Sequence, residues 1–153
     1  TRFQIRSFLD TLNGKPGQYR VEPYINRLLD MTRPLRSDDR RTMVVGVTAA
    51  DIFSGENNFL FSGAGVKDGL GAAILSYARM KSGALNERFQ SRTHVAERLA
   101  KELVPASLKQ LDIPRPTDPT DPYSYSSGTD RLAQKTLTLS SSTREALDKL
   151  RGP

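Results

Sequence analysis

The sequence predicts an α/β fold: a small mixed sheet with flanking helices, followed by an irregular C-terminal region that ends in a helix. Three observations predict it. The run Met43-Val44-Val45-Gly46-Val47 is β-branched and uncharged, as a strand inside a sheet requires. Ile25, Leu28 and Leu29 upstream, and Val95, Leu99, Leu103 and Leu108 downstream, recur near helical spacing. Between 113 and 128, Pro, Asp, Ser and Thr displace any apolar period, so that stretch reads as an irregular connector.

In chain order, Phe3-Gln4-Ile5-Arg6 alternates as a short strand does, and Asn13-Gly14-Lys15-Pro16-Gly17 is a turn cluster. A helix follows Pro23, with Ile25, Leu28 and Leu29 on one face, and Pro34 ends it. The run 43–47 is expected as the buried central strand. Thr48, with Asp51 three positions on, predicts a capped helical turn over 49–52. Phe59-Leu60-Phe61 is a brief strand, and the glycines from Gly63 to Gly71 predict a flexible loop. The segment 72–80 suits a helix by propensity and a strand by its length and flanking glycines. From Thr93 a helix is expected that Pro105 must kink, end or restart, with Leu99 and Leu103 facing the core. Ser142 and Glu145 form a capping box for a last amphipathic helix through Leu150.

Composition narrows the function. The 153 residues are read as one domain over 1–153, long enough for a core although only 37% are apolar. With no cysteine, a disulfide scaffold, a Cys-ligated zinc site, a Cys nucleophile and thiol redox chemistry are excluded for this sequence. A single histidine, His94, leaves little room for a His-built metal site or a His-driven triad, and no cofactor is expected. No run approaches the roughly 20 apolar residues of a membrane span and no charged-then-apolar leader opens the chain, so a cytoplasmic protein is expected. The net charge of +6 gathers around Arg33-Pro34-Leu35-Arg36-Ser37-Asp38-Asp39-Arg40-Arg41. That stretch has no aromatic on which a base could stack, and it reads as a solvated loop rather than a nucleic-acid surface.

The catalytic candidates are thin. The glycines at 63–71 match neither the Walker pattern nor the dinucleotide fingerprint. Asp118 and Asp121 sit before prolines in a connector expected to be exposed, which cannot shift a carboxyl toward acid-base work. Ser140, Ser141 and Ser142 have no histidine nearby and read as helix caps. His94, in the first turn of a helix, reads as a surface or half-buried residue.

Three segments carry a resemblance. Val45-Gly46-Val47-Thr48-Ala49-Ala50-Asp51-Ile52-Phe53 with Asn57-Asn58-Phe59-Leu60-Phe61-Ser62-Gly63-Ala64 is similar to the stretch "LGVT..D.Y....NFVFG.A" of the archaemetzincins. These are zinc-dependent peptidase-like proteins. Ala73-Ile74-Leu75-Ser76-Tyr77-Ala78-Arg79-Met80 resembles that family's "AVLS..RL" strand, and Gln18-Tyr19 with the helix to Met31 its "RRQY...LL" helix. The resemblance implies a small metzincin-like mixed sheet. It also implies a first strand and helix with no counterpart before Thr1, so a chain truncated at its amino terminus is expected.

The family's metal helix reads HExxHxxGxxH, two histidines one turn apart and a third beyond a glycine, with a glutamate that activates water. Carried onto this sequence the motif covers 101–111. Lys101, Pro105 and Leu111 take the three ligand positions, Leu108 takes the glycine, and Glu102 alone keeps its place as general base. The resemblance therefore implies a catalytically inactive archaemetzincin-like pseudopeptidase, without zinc, that binds a protein or peptide. The strand with Ala73, Ile74, Leu75, Ser76 and Tyr77 would border the old groove with a free edge for an extended peptide, and Lys101 would protrude where the cation once lay. Glu102→Gln is then expected to cost little. The rival readings are a structural subunit of a larger assembly and a noncanonical hydrolase that pairs Glu102 with a second acid.

Overall fold

The computed structural model describes residues 17–35, 42–55, 57–80 and 92–151. The expected strand at 3–6 and residues 36–41 of the arginine-rich stretch lie outside them. The chain divides into two units, Thr1–Ala78 and Arg79–Pro153.

The described part of the first unit starts at Gly17, whose φ of +83° suits a residue without Cβ. Strand β1 (Gln18–Arg20) runs directly into helix α1 (Val21–Thr32). Val21, Ile25 and Leu29 recur every fourth residue and form its buried stripe. Pro23 stands in the first turn, where its missing N–H has no helical acceptor to lose, so the helix starts before that proline rather than after it. A 3-10 turn at Arg33–Leu35, containing Pro34, follows the helix as expected.

Two three-stranded sheets follow. One has the order β1-β3-β4, with β3 (Asp51–Ser54) parallel to β1 and antiparallel to β4 (Asn57–Leu60). The other has the order β2-β6-β5, with β6 (Leu70–Ser76) parallel to β2 (Thr42–Thr48) and antiparallel to β5 (Ser62–Lys67). Helix α1 buries its stripe against Ile52, Leu70, Ala72 and Ile74.

Four expectations are corrected here. The run 43–47 is a strand, but it is not buried, and among the described residues it pairs on one side only. The central strand is β6, buried along its whole length. Over 49–52 there is no helical turn: the Thr48 hydroxyl accepts the Ala50 N–H at 3.0 Å and turns the chain into β3, where Asp51 accepts from Gln18 Nε2 at 2.9 Å. The glycines of 63–71 belong to a hairpin rather than a loop, with its turn at Asp68 (φ +52°) and Gly69 (φ +77°). Gly63 and Gly65 are small because α1 rests on them, a Cβ at Gly63 falling 2.6 Å from Val21 Cγ2 and one at Gly65 2.9 Å from Ile25 Cγ2. Finally, the 73–80 segment offers no free edge. From Leu70 to Ser76 it pairs with β2 on one side and, through Leu75, with β5 on the other, and the Tyr77 N–H continues the ladder to the Thr48 carbonyl at 3.1 Å. An added peptide strand would have no backbone groups left to meet there.

Because Val21 is β-branched and buried, it cannot swing away from a new methyl group at position 63. Gly63→Ala is expected to destabilise the chain by about 1–3 kcal/mol in urea unfolding. Unchanged stability would show that α1 is not seated on β5.

In the second unit, α2 (Arg92–Leu108) runs through Pro105 without ending and passes into a 3-10 turn at Lys109–Leu111. Asp112, at φ +52°, closes it in the left-handed conformation. The connector 113–128 is irregular, as expected, and leads into the short α3 (Thr129–Gln134) and then α4 (Ser141–Arg151). The cap of α4 lies earlier than Ser142: Ser140 Oγ accepts the Thr143 N–H at 3.4 Å. No described helix is long and apolar enough to cross a membrane.

Candidate functional site

Helix α2 turns an unexpected face inward. Lys101, Glu102 and Ala106 are 6%, 5% and 3% exposed and Pro105 is buried with them, while Leu103 is 39% exposed and Leu99 half-buried. Residues 101, 102, 105 and 106 form one stripe at helical spacing, so the polar pair lies on the packed side. The expectation that Leu99 and Leu103 carry the packing is corrected accordingly. Apolar spacing locates a helix, but it is the neighbouring elements that choose which stripe is covered.

Glu102 is the centre of that stripe. Its Oε1 accepts from Lys135 Nζ at 3.2 Å and from Ser126 Oγ at 3.0 Å. Lys135 is the residue that closes α3, and Ser126 belongs to the connector, so three separate segments meet on one carboxylate. The side chains of Lys135 and Glu102 are 1% and 6% exposed. Burial pushes the Lys135 ammonium below the ordinary lysine range, and the Glu102 charge and hydrogen bond oppose that without cancelling it. Lys101 does not protrude, which corrects a second expectation. It is held down on the helix by Glu97, four residues back, at 2.8 Å. The Lys101 hydrogen bond and charge hold the Glu97 carboxyl below the usual glutamate range.

The three positions that the resemblance assigns to zinc ligands therefore hold an ammonium tied to Glu97, a proline ring inside a helix and the half-buried Leu111. None of the three presents a lone pair at neutral pH, and Pro105 also lacks the N–H that would have bonded the Lys101 carbonyl. These residues do not fit the zinc ion of such a helix. Glu102 Oε1 faces a cation and a hydroxyl.

A second polar cluster lies in the same unit. Asp121 is 1% exposed, which corrects the reading of the Asp118 and Asp121 pair as solvated. Its Oδ2 accepts from the Ser140 amide at 2.8 Å, Ser140 Oγ at 2.5 Å and Thr143 Oγ1 at 2.7 Å, and its Oδ1 from the Tyr123 amide at 2.6 Å. Burial pushes this carboxyl up, but the four hydrogen bonds outweigh it and hold it below the ordinary aspartate value. Asp118 is exposed and accepts from the Thr120 amide and hydroxyl, both at 2.8 Å. The two copies of Thr-Asp-Pro thus have opposite fates. One is a local turn and the other ties the connector to the start of α4.

His94 is exposed, as are Ser141 and Ser142. Ala73, Ile74, Leu75 and Ser76 are buried in β6, and Tyr77 is half-buried behind them. Lys135 and Ser126 were not anticipated. The one signal for Lys135 is that it is the sole charged residue between Arg131 and Arg144.

The fold is that of the archaemetzincins. A zinc-dependent peptidase from Methanocorpusculum labreanum superposes with a TM-score of 0.71 at 17% identity, over 85% of this chain and 74% of that one. Archaemetzincin from Methanopyrus kandleri gives 0.65 at 22% identity, over 93% and 71%. Archaemetzincin from Archaeoglobus fulgidus, in a complex with malonate, gives 0.65 at 22% identity, over 92% and 75%. No protein-family model matches the sequence, and no curated protein matches it.

Proposed function

We propose that this chain is a non-catalytic protein on a zinc-peptidase fold, an interaction domain that binds another protein rather than hydrolysing one. The observation that carries this reading is the commitment of Glu102. In the peptidase helix this carboxylate must face a metal-bound water to act as general base. Here it faces Lys135 and Ser126 in a packed interior, and its charge is spent on an ammonium. The residues at the resemblance's ligand positions support the same reading, because an ammonium would repel a divalent cation and proline and leucine have no donor atom. Side chains such as Tyr125 and Leu137, 64% and 58% exposed, supply apolar surface for a partner.

Elemental analysis after dialysis against zinc, with unfolding followed at increasing zinc concentration, tests the proposal. The chain is expected to retain well below stoichiometric zinc and to show no saturable rise in its melting temperature. About one zinc per chain, or peptide hydrolysis abolished by Glu102→Gln, would overturn it.

A further inference from the structure

We infer that the protein partner is held through one of its acidic side chains, a glutamate or aspartate seated on the Arg115 guanidinium beside the ring of Tyr125. This rests on the interaction-domain reading and names the chemistry that the partner brings. Both residues belong to the connector of the second unit.

Arg115 is exposed, yet its head group is positioned. The guanidinium carbon lies over the Tyr123 ring, 5.5 Å from its centroid, and over the Tyr125 ring at 5.8 Å. Tyr123 is a fixed platform, 3% exposed, whose hydroxyl donates to the Ile113 carbonyl at 2.9 Å. Ring faces attract the cation but offer no lone pairs to its in-plane N–H groups. Among the described residues no carboxylate, carbonyl or hydroxyl accepts from Arg115. Asp112, whose charge also reaches the Tyr123 hydroxyl, forms no ion pair with it. The result is a planar donor edge held in place before any ligand arrives, a match for the two oxygens of a carboxylate. Tyr125, 64% exposed, sets an open ring beside that edge for the apolar part of the same segment.

Charge favours the same occupant. From 79 to 153 the sequence carries 13 Lys and Arg against 9 Asp and Glu, and three of those acids, Glu97, Glu102 and Asp121, are engaged internally. A phosphate is favoured by several converging cations, whereas Lys135, the other cation within electrostatic reach of Arg115, is buried against Glu102. A chain-terminal carboxylate is captured by a nest of backbone N–H groups. From 120 to 124 those groups are already bonded inside the connector: Thr120 and Tyr123 to the side chains of Asp118 and Asp121, Asp121 and Ser124 to the carbonyls of the same two residues. An acidic side chain needs only the guanidinium edge.

The test is an NMR titration of the isotope-labelled whole chain with a short end-blocked peptide of glutamates and one phenylalanine, beside its glutamine counterpart. The glutamate peptide is expected to shift the Arg115 Nε–H and Tyr125 signals saturably, with a dissociation constant on the order of 0.1–1 mM that weakens with added salt, and the glutamine peptide is not. Arg115→Lys keeps the charge but not the planar fork, and is expected to weaken binding at least about fivefold with unchanged circular dichroism. Tyr125→Phe keeps the ring and is expected to bind as the parent does. No saturable shift, equal shifts with glutamine, undiminished binding by Arg115→Lys, or binding only of a peptide with a free carboxyl end would each overturn the inference. Shifts centred on Leu137 instead would overturn it and leave the interaction-domain reading standing. Cleavage of the peptide would overturn both.

Discussion

Glu102→Leu is expected to destabilise the second unit by about 3–5 kcal/mol, the usual cost of stranding one member of a buried ion pair. The variant leaves the Lys135 ammonium, 1% exposed, without its counter-charge, and Ser126 without its acceptor. Glu102→Gln keeps an acceptor for Ser126 but not the charge, so a smaller loss of the same sign is expected. The double variant Glu102→Leu with Lys135→Met should recover most of the stability, because replacing both ions with apolar groups of similar volume removes the desolvation cost together with the attraction. Leu99→Ala, at a half-buried site, should cost less than the roughly 2–5 kcal/mol of a fully buried leucine and less than Glu102→Leu. Urea unfolding of the four variants gives the order directly. A Glu102→Leu loss below that of Leu99→Ala, or no recovery in the double variant, would show that the pair does not hold α2 to the connector.

Asp121→Ala should cost about 3 kcal/mol or more, since hydrogen bonds to a charged group are worth about 1.5–3 kcal/mol each and the variant strands several donors at once. The Ser140 amide, the Thr143 hydroxyl and the Tyr123 amide would all lose their acceptor. The cluster also gives the chain an acid limb of known sign. The folded state holds the Asp121 carboxyl below its ordinary value, so the unfolded chain takes up this proton first as the pH falls. The stability it contributes is therefore complete above the unfolded value of about 3.9 and drains away below it, through the lower folded value. Asp121→Asn, which cannot titrate, should be less stable at neutral pH and lose less on acidification. An unaltered acid limb in that variant would assign the limb to other carboxylates.

Much of the local structure was determined by the sequence itself. Ile25 and Leu29 on one face and Pro34 at the end mark α1, because spacing and proline act over a single turn of chain. The connector 113–128 and the resemblance to the archaemetzincin fold were legible for the same reason, the first as a local composition and the second as short runs of adjacent residues. The absence of cysteine and the single histidine removed thiolate ligands and left one imidazole for any metal before a coordinate was known. What only the tertiary structure decided is where each piece sits. Val45 and Val47 have the composition of a buried central strand, yet among the described residues their strand pairs on one side only, because a strand's place depends on pairing with residues distant in sequence. The glycines at 63 and 65 read as flexibility but are gaps made for α1. Asp118 and Asp121 share the same tripeptide, and only the approach of Ser140 and Thr143 buries one of them. Lys135 lies 33 residues from Glu102, and no period or motif links them. Their attraction operates across space in a dry interior, so the ion pair that joins α2 to the segment after α3 became visible only when the chain was folded.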